Sequence, residues 1–240
     1  PRSMAVFEEV AADLQELYGV KAARIVCDAH PGYATHRWAR MQTDLPVSPI
    51  WHHSAHASAV AGEFPGCDNW LIFAWDGVGL GPDQSLWGGE ALLGRPGDWQ
   101  RVGSMRPFRL PGGERAGREP WRSAAALHWE CDKSWGEHLD ADGLLRAAWQ
   151  QQLNAPKTSA VGRLFDAAAA LVCGTNKVSF EAQGPMHLES LCTDVGEVIR
   201  MAQSVDSDGV LRTDWEPMLA MLSDQQRSER RRAEAFHTSM

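Results

Sequence analysis

The stretch PIWHHSAHASAVAGEF, residues 49–64, sets three of the chain's nine histidines within five positions. His52 and His56 are four residues apart, so on a helix both rings stand on one face, within reach of a single ion. Neutral imidazole nitrogen is a common ligand for zinc or iron, and two such ligands need one or two more from elsewhere. His53 would point about 100° away around the same helix and is the weaker candidate. A bare H-x-x-x-H, without the glutamate of H-E-x-x-H, equally describes a helix start whose histidines satisfy local hydrogen bonds.

Asp76 closes the most apolar run of the chain, NWLIFAWDGVGLG (69–81). A carboxylate at the carboxyl end of a buried strand, beside a glycine-rich turn, is where α/β folds hold ligands and metals. An Asp-Gly turn residue is the alternative. The diglycine Gly88-Gly89 in WGGE sits inside a strand-like pattern, which points to a bulge or to a ligand approaching backbone N–H groups. In TSAVGRLFDAAAAL (158–171), Thr158 or Ser159 is the expected helix cap, and Gly162 and Asp166 share a face. Glycine in the first turn of a good helix costs about 1 kcal/mol relative to alanine, so something is expected to approach closely there. Arg115, Arg118 and Arg122 crowd a loop with Glu114 and Glu119, either as an anion clamp or as an ion-paired structural loop.

The elements that must position these groups read as strands followed by helices. Apolar residues at Val6, Phe7, Val10, Leu14, Leu17 and Tyr18 predict a helix over 4–18, stopped by Gly19. AARIVCD (22–28) predicts a buried strand broken by HPGY, and LPVSPIW a short extended segment. The histidine helix ends at Pro65-Gly66. Three strands follow, in 69–81, SLWGGEALLG and WQRVGSMRPFRL, the last two hairpin-connected. Helices are expected at 119–131, 140–153 and 158–173, with two more after 185. This order argues for α/β or α+β layers.

The 240 residues suffice for one large domain or two small ones with a core. A formal charge of −8 opposes a general nucleic-acid or anionic-membrane surface. The basic run RSERRR (227–232) reads as a solvated face. Five dispersed cysteines without a C-x-x-C pair read as reduced thiols of a cytoplasmic protein, and no apolar run approaches membrane-spanning length. The abrupt entry into a helix suggests a piece of something longer.

In order and spacing these segments resemble one family. VCDAHPGY, HHSAH, DGVGLGPDQSLWGGE, RPFRLPGGERAGREPWRSA and TSAVGRLFDAAAAL look like the C-terminal catalytic domain of the HypF family of hydrogenase-maturation carbamoyltransferases, and SFEAQGPMHLE and AFHTSM look like its later segments. The likeness runs from about residue 5 to the end. That domain is similar to tRNA threonylcarbamoyl-transfer proteins and antibiotic O-carbamoyltransferases. The resemblance implies an actin-like, sugar-kinase-like (RNase H-like) ATPase fold, incomplete at both ends. Residues 1–110 would form part of the first α/β lobe, and 111–240 a mostly helical portion with the nucleotide-binding helix start.

The family forms carbamoyl-adenylate from carbamoyl phosphate and ATP and passes the carbamoyl group to the C-terminal cysteine of its partner HypE. By resemblance, His52, His56 and Asp76 would hold a divalent metal, zinc or iron, while Gly88, Gly89, Gly162 and Asp166 would contact the nucleotide. Ser54 departs from the family's H-H-H-A-H, and Ala182 replaces the glycine of E-G-Q. A phosphate loop of the form S-G-G-x-F-Q-N and a late aspartate ligand do not occur, so this piece is expected to be inactive alone. No residue reads as a covalent nucleophile, and backbone N–H groups at Gly88 and Gly89 are expected to meet developing charge. Transfer to a small-molecule hydroxyl, or a non-catalytic metal- or nucleotide-binding module, are the rival readings.

Overall fold

The computed structural model describes residues 2–240. Strand β1 (Ile25–Asp28) runs parallel to β2 (Val47–Ile50), with Asp28 opposite Ile50. Helix α1 (Arg2–Tyr18) precedes them and ends at Gly19, as the stripe predicts. Its apolar face does not become core: Val6, Val10, Leu14, Leu17 and Tyr18 are exposed. Between β1 and β2 stands a helix that the sequence does not announce, α2 (Ala34–Met41), whose Trp38 meets Phe7 edge-on. The HPGY turn is real, but it leads straight into this amphipathic helix.

Helix α3 (His52–Glu63) begins directly after β2, with Trp51 as its N-cap residue. Ala57 and Ala61 let it lie flat on the sheet against Ile72, Trp87 and Leu92. That sheet starts as the expected antiparallel meander, β3 (Trp70–Leu80), β4 (Leu86–Arg95) and β5 (Asp98–Met105). Four short strands extend it: β6 (Phe108–Arg109), β7 (Lys157–Thr158), β8 (Gln203–Val205) and β9 (Leu211–Thr213). The order is β6-β7-β4-β5-β9-β8, with β3 paired to β4 alone. The sheet therefore runs across residue 110, and the two portions expected on either side of it share one sheet. Leu71, Phe73 and Trp75 of β3 face away from α3 and are exposed, lining an apolar groove of about 280 Å³ with Leu211 and Met240.

The remaining helices are α4 (Trp121–Trp129), α5 (Leu144–Gln150), α6 (Val161–Cys173), α7 (Gln183–Ser190), α8 (Glu216–Ser223) and α9 (Glu229–Ser239). All but α5, whose Trp149 packs with Trp121 and Trp129 in a smaller cluster, enclose the largest core, in which Ala167 to Ala170 let α6 sit deep among its neighbours. The basic run RSERRR lies at the start of α9, not on a wholly solvated face. Its Arg232 is buried and donates to the carbonyls of Leu171 and Leu222 at helix ends. Among the described residues no helix is long and apolar enough to cross a membrane.

Candidate functional site

The histidine helix delivers its side chains to one point. His52 Nε2 and His56 Nε2 are 3.2 Å apart, and Asp76 Oδ2 lies 2.9 Å from the first and 3.9 Å from the second. Ligands about 2.0–2.1 Å from a tetrahedral zinc stand about 3.3 Å from one another, so this spacing suits one ion. Among the described residues no other group of three His, Cys, Asp or Glu side chains converges this way. Asp76 Oδ2 is buried and lies off the axis of a hydrogen bond to either ring. An unsatisfied carboxylate oxygen beside two imidazole nitrogens is a donor set fit for a divalent cation.

Asp76 does not end its strand, as the sequence suggests; a bulge aims it. Trp75 pairs with Gly89 and Gly79 with Trp87, so Asp76, Gly77 and Val78 together oppose Gly88. The surplus residues swing Asp76 out of the ladder toward α3, a common use of a bulge. Its Oδ1 accepts the Gly77 N–H at 2.6 Å, which holds the carboxylate in place. Gly79 leaves room for His52 and His53, since a Cβ there would stand 2.7 Å from each of their rings.

Two neighbours complete the cluster. His52 Nδ1 is 2.8 Å from Asp28 Oδ2 at the end of β1. His53, the weaker candidate, is only 1% exposed and stands 3.8 Å from Asp76 Oδ2, with neither ring nitrogen hydrogen-bonded. Contact with Asp76, reinforced by Asp28, raises the metal-free His52 imidazole to about 9. Burial, with the adjacent His52 charge, lowers His53 to about 4. The same contact with His52 holds the Asp76 carboxyl below its usual range.

The glycines converge on this corner too, but against protein. A Cβ on Gly88 would meet the Asp76 carbonyl at 2.7 Å and Ala160 Cβ at 2.8 Å; one on Gly89 would meet the Ser159 carbonyl at 2.5 Å. A Cβ on Gly162 would stand 2.7 Å from Gly77 Cα. What approaches these positions closely is the start of α6 against the bulge and β4. The Gly88 and Gly89 N–H groups both point at Glu90 Oε1, at 3.3 and 3.4 Å. Glu90 is fully buried, paired with Arg101 at 2.6 Å and bonded to the Ser159 hydroxyl. Neither Thr158 nor Ser159 caps α6; Ala160 holds that position, because Thr158 is drawn into β7 and Ser159 to Glu90.

Asp166 is only 4% exposed and is ion-paired with Arg163 at 2.7 Å, and burial raises its carboxyl to about 6. In the arginine-rich loop, Arg122 is buried and pairs with Glu119, which is the structural-loop reading. Burial pushes the Cys173 thiol to about 11 and raises those of Cys131 and Cys192.

The chain matches the family described as "Carbamoyltransferase, Kae1-like Domain, second subdomain" over residues 72–240, and "HypF Kae1-like domain" over residues 1–63. It belongs to the HypF carbamoyltransferase family. It is 34% identical to the carbamoyltransferase HypF of Synechocystis sp., covering 98% of this chain and 34% of that protein. It is 38% identical to HypF2 of Cupriavidus necator, over 79% of this chain and 24% of that one. The chain thus spans about a third or less of these relatives. Its fold is that of full-length HypF in the phosphate- and nucleotide-bound form (TM-score 0.88, 24% identity, all of this chain and 32% of that one). HypF from T. kodakarensis matches at a TM-score of 0.80, with 23% identity over 98% of this chain and 34% of that one. The α/β, actin-like ATPase-type architecture implied by the motifs is the one observed.

Asp28 and Glu90 are not singled out as site residues by the sequence, and His53 is only the weaker candidate. Asp28 and Glu90 lie in quoted motifs, and a lone acid ending an apolar strand is the signal that marks Asp28 as it marks Asp76.

Proposed function

We propose that this chain forms the metal- and nucleotide-holding part of a carbamoyltransferase. The reaction moves the carbamoyl group of a carbamoyl-adenylate, made from carbamoyl phosphate and ATP, to the C-terminal cysteine thiolate of a HypE-type partner, in nickel–iron hydrogenase maturation. The convergence of His52, His56 and Asp76, in a chain of the HypF family, carries this reading. A divalent zinc or iron ion held by these three would polarise an oxygen of the adenylate.

The protein's own part is positioning. The bulge presents Asp76 and α3 presents both imidazoles, and Gly88, Gly89 and Gly162 let the start of α6 close on them without intervening side chains. Asp166 is the carboxylate proposed to take ribose hydroxyls, which requires Arg163 to be displaced. The attacking thiolate comes from the acceptor, so no nucleophile of this chain is needed.

Metal analysis of the purified chain tests the reading, with His52→Ala/His56→Ala alongside and AMP binding followed by calorimetry. Close to one equivalent of zinc or iron, lost in the double variant, is expected. A wild-type chain that takes up neither metal refutes it.

A further inference from the structure

We infer that Asp28 is a positioning residue: it fixes the ring of His52 so that Nε2, and not Nδ1, is offered to the ion, an inference resting on the metal reading above. The fold leaves Asp28 no other place. Parallel pairing sets it opposite Ile50, and the Ala29 N–H bonds the Ile50 carbonyl at 2.9 Å. Two residues beyond Ile50 the chain is already His52, in the first turn of α3.

Both oxygens of the carboxylate are committed. Oδ1 accepts the His30 N–H at 2.7 Å, which pins the group to its own turn, and Oδ2 faces His52 Nδ1 at 2.8 Å. A carboxylate only accepts, so Nδ1 carries the proton and the lone pair of the neutral ring lies on Nε2. That nitrogen is the one 2.9 Å from Asp76 and 3.2 Å from His56. A ring turned over would lose its bond to Asp28 and present Cε1, which cannot ligate, where Nε2 now stands. Ring nitrogens that donate to a carboxylate are the usual second support of metal-bound histidine. His56 makes no such bond and is exposed, so the pair is unequal: His52 is the anchored ligand and His56 the one that adjusts.

The test compares the wild-type chain with Asp28→Asn, which keeps an acceptor, and Asp28→Ala, which does not. Zinc affinity is read by competition with a chromophoric chelator. The His52 Nδ1–H is observed by ¹⁵N-resolved NMR of the zinc-loaded chain, and folding is checked by circular dichroism. Asp28→Ala is expected to lose about 10- to 100-fold in zinc affinity together with the protected Nδ1–H signal. Asp28→Asn should retain a shifted signal and lose less affinity; should Asp28→Ala not fold, this variant decides alone. Unchanged affinity, or weakened affinity with the Nδ1–H signal unmoved, overturns the inference. A wild-type chain that binds no zinc is a different result: it removes the metal reading itself, and this inference with it.

Discussion

Gly162→Ala and Gly62→Ala place the same methyl group in two helices and should move stability in opposite directions. At Gly162 the new Cβ would lie 2.7 Å from Gly77 Cα, 3.1 Å from the Asp76 carbonyl oxygen and 3.2 Å from the Gly77 nitrogen. All three are backbone atoms, so none can rotate away, and contact at ordinary carbon spacing needs a shift of about 1 Å. Alanine gains about 1 kcal/mol of helix propensity, while overpacking costs about 1–3 kcal/mol, with the upper end applying where backbone must move. The net is a loss of about 2 kcal/mol, or about 4–8 °C in Tm for a chain of this size. At Gly62, in α3, the added methyl would meet nothing within 4 Å. There the gain stands unopposed, at about 0.5–1 kcal/mol. Thermal and urea unfolding of both variants beside wild type measure the two signs. If Gly162→Ala stabilises as Gly62→Ala does, the close contact between α6 and the bulge is wrong, and the space at Gly162 belongs to a ligand.

Removing the buried acid should also be costly. Glu90→Ala leaves Arg101 with Asp83 as its remaining carboxylate, and breaking a buried pair costs about 3–5 kcal/mol. The low end, about 3 kcal/mol, is expected in urea unfolding, with Glu90→Gln losing less. The two adjacent histidines should give the metal-free chain a stability maximum near pH 6.5. His52, raised to about 9, contributes fully below its unfolded value of 6.5, and that contribution fades as pH rises toward 9. His53, lowered to about 4, contributes fully above 6.5, and its share fades as pH falls toward 4. Chemical denaturation across pH 4–9 should show both limbs, and His52→Ala should flatten the upper one. Zinc should reverse that limb, because its binding requires the neutral ring and strengthens as pH rises to about 9.

The histidine pair is legible in the sequence because its geometry is local: four residues on a helix decide which rings share a face. The long apolar run of β3 is legible for the same reason. Its bulge is not, since the register that aims Asp76 depends on which residues of β4 stand opposite. The glycines at 88, 89 and 162 correctly announce a close approach, but sequence does not say what approaches, and here it is backbone. Asp28 and His52 lie 24 residues apart in the chain, and only the parallel pairing of β1 with β2 makes them neighbours. Strands β7, β8 and β9 have two or three residues each, too few for an alternating pattern to register. The exposed stripe of α1 has the periodicity of a core helix and none of the burial, because periodicity reports a face and not its partner.

The bare contact of α6 with the bulge has a mechanical side. Side chains between two elements act as a compliant layer, able to change rotamer when one element moves. Between Gly162 and Gly77, and between Gly88 and Ala160, that layer is missing. A small translation of α6 would therefore pass to Asp76 with little damping. In a library of single substitutions, positions 88, 89 and 162 should then lose metal retention at replacements as mild as alanine, while Gly62, which faces open space, accepts the same methyl without loss.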